Sequence, residues 1–162
     1  MTLLKTLFAV LALSFSLNSL AITDDEQVVF TDGLTEGKIK VVEKFVKADP
    51  KIVNEKFFGW APLQMASNKG QLAMVKYLLS KGADINYMHP VAYHTAFHLA
   101  VLNGHLDLAK YLASKGADVN VKMKADVSLI RYFRDEGNTE MVKFLTDLGV
   151  KDDGCTEGKC FE

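Results

Sequence analysis

Cysteine is scarce in this chain of 162 residues and sits only near its end, at Cys155 and Cys160. Two thiols so placed are too few for the disulfide framework that holds many small secreted folds together. An excess of either charge is also missing, since 19 Lys and Arg stand against 20 Asp and Glu for a formal net charge of −1. Without a clustered basic face there is no electrostatic footprint for nucleic acid. The longest apolar stretch, Leu7 to Leu17, is interrupted at Ser14 and Ser16. It falls short of the ~20 residues that cross a bilayer. Signatures of catalysis are absent as well: there is no Gly-x-Ser-x-Gly elbow, no His-Glu-x-x-His, no phosphate loop and no dinucleotide-binding glycine set. The expectation is a protein that is not an enzyme and uses no cofactor.

What is present begins with a leader. Lys5 supplies a positive charge, the apolar run follows, and Asn18-Ser19-Leu20-Ala21 places small residues at 19 and 21. That order is the one found in secretory signal peptides. Residues 1–21 are therefore expected to be removed, with the mature chain starting at Ile22; an uncleaved anchor is the alternative. The residue directly after the cleavage point is Ile22 and not cysteine, which argues against a lipid-anchored form. The expected location is the periplasm, or outside the cell.

Beyond the leader the chain repeats itself. Gly70-Gln-Leu-Ala-Met-Val-Lys-Tyr-Leu-Leu-Ser-Lys-Gly82-Ala-Asp-Ile-Asn86 returns as Gly104-His-Leu-Asp-Leu-Ala-Lys-Tyr-Leu-Ala-Ser-Lys-Gly116-Ala-Asp-Val-Asn120, a step of 34 residues. A constant period of that size is the mark of a stacked repeat architecture. Degraded copies open at Gly37 and Gly137, each 33 residues from its neighbour. Four units follow, at about 24–56, 57–90, 91–124 and 125–152. Outer units drift because each turns one face to water. Each unit reads as two short helices, the second carrying apolar pairs one turn apart, such as Met74/Val75 with Leu78/Leu79. Pro62 suits the first position of the first helix in unit two. Thr95 and Ser128 are expected to cap the corresponding helices in units three and four. The tail, 153–162, holds the cysteine pair.

Ala61-Pro62-Leu63-Gln64-Met65-Ala66 and Thr95-Ala96-Phe97-His98-Leu99-Ala100 resemble the Thr-Pro-Leu-His-x-Ala signature of ankyrin repeats. Gly-Ala-Asp-Ile-Asn and Gly-Ala-Asp-Val-Asn resemble that family's loop after the second helix. The resemblance implies an all-α solenoid of about four helix-turn-helix units joined by hairpin loops. It departs at Gln64 and Arg131, where the family usually has histidine.

It also implies a concave face, built from the hairpin fingers and the first helices, that holds a protein partner. The fingers here are rich in residue types enriched at interfaces. Expected contacts on the first are Phe57, Phe58 and Trp60, and on the second Tyr87, Met88 and Tyr93. Helical phase adds Asn68 and Lys69, then Leu102 and Asn103. The alternative for Trp60 and one phenylalanine is that they cover the next repeat. Histidines 94, 98 and 105 suggest a metal only by proximity; His98 matches the signature residue and His105 a common turn residue, so no metal site is expected. In an exported chain Cys155 and Cys160 are expected to form a disulfide. The functional expectation is a monomeric, exported interaction module that inhibits a periplasmic toxin or enzyme, as an immunity protein does. An accessory factor for such an enzyme, or an effector acting on host proteins, is the alternative.

Overall fold

The computed structural model describes residues 22–154. The leader and the Cys155–Cys160 pair lie outside the described residues. Within them, eight α-helices form four antiparallel pairs: α1 (Asp24–Thr35) with α2 (Ile39–Ala48), α3 (Pro62–Asn68) with α4 (Leu72–Ser80), α5 (Ala96–Leu102) with α6 (Leu106–Ser114), and α7 (Leu129–Asp135) with α8 (Thr139–Asp147). None of these helices is long and apolar enough to cross a membrane.

The first helices after α1 span only seven residues, too short to hold together alone in water. Local signals start them. Thr23 accepts from the Glu26 amide while the Glu26 carboxylate accepts from the Thr23 amide, a reciprocal cap, and Asp24, Asp25 and Glu26 face the positive end of the helix dipole. Pro62 occupies the first turn of α3. The hydroxyl of Thr95 accepts from the His98 amide and that of Ser128 from the Arg131 amide. Each helix pair is closed by a glycine in the left-handed region. At Gly70 (φ 68°) a side chain would also strike the His105 ring, whose Nδ1 lies 2.6 Å from where a Cβ would be.

Packing then stabilises what propensity cannot. Helices α1 and α3, and α3 and α5, lie side by side, and α2 packs on α4. Ala66 and Ala100 are fully buried along this row, where the absence of bulk lets the backbones approach. Leu78 and Leu112 are completely excluded from solvent, together with Phe30, Phe97 and Leu145. The core is one continuous cluster running from Phe30 to Val150.

A second device joins repeats at the opposite end of the helices. The side-chain oxygen of Asn54 accepts from the Asp84 amide at 2.8 Å, that of Asn86 from the Asp118 amide at 2.8 Å, and that of Asn120 from the Lys151 amide at 2.7 Å. One asparagine per repeat thus grips the next repeat's backbone.

Candidate functional site: fingers and concave cleft

The first finger is the tightest. Phe57 and Trp60 exchange both backbone hydrogen bonds at 2.9 Å, with Phe58 (φ 54°) and Gly59 (φ 83°) between them. Two consecutive positive φ values define a type I′ hairpin turn, whose twist matches the strands it joins. Glycine suits the second position. Phe58 at the first is strained, since an L-residue there brings Cβ against the carbonyl.

This turn separates two neighbouring phenylalanines. Phe58 is 92% exposed, whereas Phe57 is 6% exposed and meets the Phe30 ring at 5.3 Å between centroids. The expectation that Phe57 contacts a partner is therefore corrected: it is a core residue, turned inward by the hairpin, and it secures the finger to α1.

The second finger is organised by His89. Its Nδ1 accepts from the Val91 and Ala92 amides at 3.2 and 3.0 Å, and its ring lies against Trp60, tilted by 39° with centroids 4.1 Å apart. The His89 amide donates to the His94 carbonyl, and Tyr93 adopts φ 59°. The loop so drawn in pushes out Met88, Val91 and Tyr93, of which Val91 is the most exposed at 69%. Tyr87 is half-buried; its hydroxyl donates to the Gly59 carbonyl at 2.9 Å and Lys56 lies over its ring. Tyr87 thus ties the two fingers together and offers a partner only part of its surface.

A buried polar residue fastens each of the second and third fingers to the first helix of the repeat before it. His98 Nδ1 lies 3.1 Å from the Thr95 amide, and its Nε2 lies 3.0 Å from the Val121 carbonyl of the next finger. Burial pushes the His98 pKa down to about 4, outweighing the Val121 carbonyl, which favours the charged form. Gln64 performs the same task one repeat earlier. Its Oε1 accepts from the Ala61 amide, and its Nε2 donates to the His94 and Tyr87 carbonyls.

On the first helices, Asn68, Lys69 and Asn103 are exposed. Asn103 donates to the Asn68 side chain at 3.1 Å across the trough. Leu102 is half-buried against the core, so it does not extend the apolar finger surface as a freely exposed side chain would. Between α1 and α3 lies a cleft of about 270 Å³, lined by Thr31, Asp32 and Thr35 from one helix and Gln64, Met65 and Asn68 from the other, with Trp60 at the finger end. Sequence reasoning missed Thr31, Asp32 and Met65, and missed Val91. Residues 31 and 32 belong to a degraded repeat without the signature, and only the approach of α1 to α3 makes them neighbours. Among the described residues no cluster of three or more His, Cys, Asp or Glu could hold a metal ion.

Antiparallel helix pairs stacked in register, with hairpin fingers projecting from one edge, define a helical-repeat solenoid. The family model for ankyrin repeats in three copies matches residues 34–123. The chain belongs to the ankyrin-repeat family. Part of it is similar to "Ankyrin repeat, SAM and basic leucine zipper domain-containing protein 1" of Notamacropus eugenii, 29% identical over 65 residues, which are 40% of this chain and 14% of that protein. The protein of that name in Dasypus novemcinctus is 30% identical over 74 residues, 46% of this chain and 16% of its own length. The chain thus spans only 14–16% of these curated relatives. Ankyrin repeats mediate protein–protein interaction, and the family is typically non-catalytic.

Proposed function

We propose that this chain is an exported, monomeric binding module whose finger tips and concave cleft hold a folded partner protein. In this reading the partner is a periplasmic toxin or enzyme that the module occludes, in the manner of an immunity protein. The observation that carries the binding surface is the pair of strained, exposed aromatic tips. Phe58 at φ 54° and Tyr93 at φ 59° hold rings in water on adjacent fingers, beside exposed Met88 and Val91. Backbone strain and apolar exposure both oppose stability in the isolated protein, and such features cluster where a ligand is gripped. The order of residues 1–21, charged, then apolar, then small, supports export.

The test is the partner enzyme's activity as this protein is added. Stoichiometric loss of activity that disappears with Phe58→Gly and Tyr93→Gly supports the inhibitor reading. Higher activity or a longer half-life of the partner would replace it with the accessory role. Recovery of the protein from culture fluid instead of the periplasm would favour an effector.

A further inference from the structure

The cleft between α1 and α3 has a chemistry distinct from the apolar finger tips above it. Its volume, about 270 Å³, lies just below the range for pockets that enclose a drug-sized ligand, ~300–1,000 Å³. It has room for one long side chain. Asp32 is the one formally charged residue among those lining it, and among the described residues no hydrogen bond or ion pair holds its carboxylate. Lys38, in the loop after α1, is ion-paired with Glu36, and the Asp32 charge attracts it only as a weaker, longer-range partner. Lys69 caps α3 but does not line the cleft.

The backbone adds to the same sign. The cleft lies along the last turns of α1 and α3, and neither helix carries a basic residue in its last turn. The partial negative charge at the end of α1 therefore meets no basic side chain of that helix, whereas Lys69 stands at the C-cap of α3. The two threonines contribute lone pairs, because their hydroxyl hydrogens are directed elsewhere: Thr31 donates to the Val28 carbonyl and Thr35 to the Asp32 carbonyl. The remaining donors, the Trp60 indole N–H and the Asn68 amide, would suit an anion, but the Asp32 carboxylate repels one. Trp60 is held by its tilted contact with the His89 ring, which keeps an indole at the end of the cleft, and indole is the strongest aromatic partner for a cation. Met65 supplies an apolar wall for an alkyl stem.

We infer that this cleft is the receptor for a single arginine side chain of the partner protein. This rests on the protein-binding reading above and names the chemistry of one of its contacts. The guanidinium lies between the Asp32 carboxylate and the Trp60 ring, and its methylenes run along Met65. Arginine is favoured over lysine because its planar head both stacks on an aromatic ring and forms paired hydrogen bonds to a carboxylate.

The test uses blocked tripeptides titrated into the intact mature protein and followed by NMR at the Trp60 indole and the Thr31 and Thr35 amides. Acetyl-Gly-Arg-Gly-amide is compared with peptides bearing lysine, citrulline or leucine at the centre. The expected result is saturable shifts at those three residues with a dissociation constant of the order of millimolar. The citrulline peptide should bind about fivefold or more weakly, because it keeps the shape and loses the charge. Asp32→Asn should weaken the arginine peptide by a similar factor, whereas Asp25→Asn, another exposed acid on α1, should leave it unchanged. Equal binding of citrulline, stronger binding of leucine, or shifts elsewhere on the surface would overturn the assignment. So would concentration-dependent shifts without peptide, which would place a second copy of this chain in the cleft. Should the arginine peptide fail while Phe58→Gly still weakens partner capture, the cleft assignment falls and the protein-binding reading survives.

Discussion

Replacing Phe58 with glycine should make the free protein more stable and the binding protein worse. The ring is 92% exposed, so its removal forfeits almost no packing. The backbone at φ 54° is left-handed, which costs an L-residue roughly 1–2 kcal/mol and glycine nothing. Against this relief stands the greater freedom of glycine in the unfolded chain, about 0.5–1 kcal/mol. The difference favours the variant by about 0.5–1 kcal/mol, or roughly 2–4 °C in melting temperature for an array of this size. Thermal unfolding followed by circular dichroism at the helical band measures it. Phe57→Ala, one residue earlier, should behave in the opposite way, because that ring packs on Phe30. Its loss should cost about 3–5 kcal/mol. Partner affinity should fall about tenfold or more with Phe58→Gly if the ring is a central contact. A melting temperature lowered by several degrees in Phe58→Gly would show that the ring packs, and would refute the argument from strain. Unchanged affinity in a stabilised variant would remove Phe58 from the binding surface.

Other changes probe the scaffold. Leu78→Ala or Leu112→Ala, both fully buried, should cost about 2–5 kcal/mol as cavities, read as a lower urea midpoint at unchanged slope. Asn86→Ala removes the grip on the Asp118 amide and should cost about 1–2 kcal/mol, with faster hydrogen exchange centred on the junction between the second and third repeats. His98 is held neutral, with a pKa of about 4 against 6.5 in the unfolded chain. Its contribution is therefore complete above pH 6.5 and declines as the pH falls toward 4, because the unfolded chain takes up a proton that the fold refuses. The loss approaches about 3 kcal/mol. His98→Gln should flatten that part of the stability–pH curve, since Gln64 already makes the equivalent bonds in the preceding repeat; an unchanged slope would show that other groups set it.

The stack was legible because glycine recurs at a fixed step and each second helix carries a stripe of apolar pairs. The caps at Thr95 and Ser128 were legible for a local reason: a hydroxyl just before an apolar helical run has a nearby amide to accept from. The fingers were only half legible. Composition marks Phe57 and Phe58 alike, and the side each takes is decided by a turn whose geometry depends on both of its central residues. Leu102 shows the same limit, since helical phase gives a direction but not how closely the next helix approaches. The cleft could not be read at all from the signature, because it joins a degraded first repeat to Trp60, whose position is set by His89 from a loop 29 residues away. Two rungs of the asparagine ladder, Asn86 and Asn120, were visible as the last letter of Gly-Ala-Asp-x-Asn, but their role appears only when consecutive repeats lie in register.

The central claim is that the fingers, and not the outer helices, meet another protein. Site-specific photo-crosslinking inside cells of the source organism tests it, with the reactive side chain introduced at position 58 or 93 on the finger tips, or at the exposed positions 76 and 110 on the second helices. The account predicts a covalent adduct to one second polypeptide from 58 and 93 and none from 76 and 110. Adducts from 76 and 110 alone, or from all four positions alike, would contradict it.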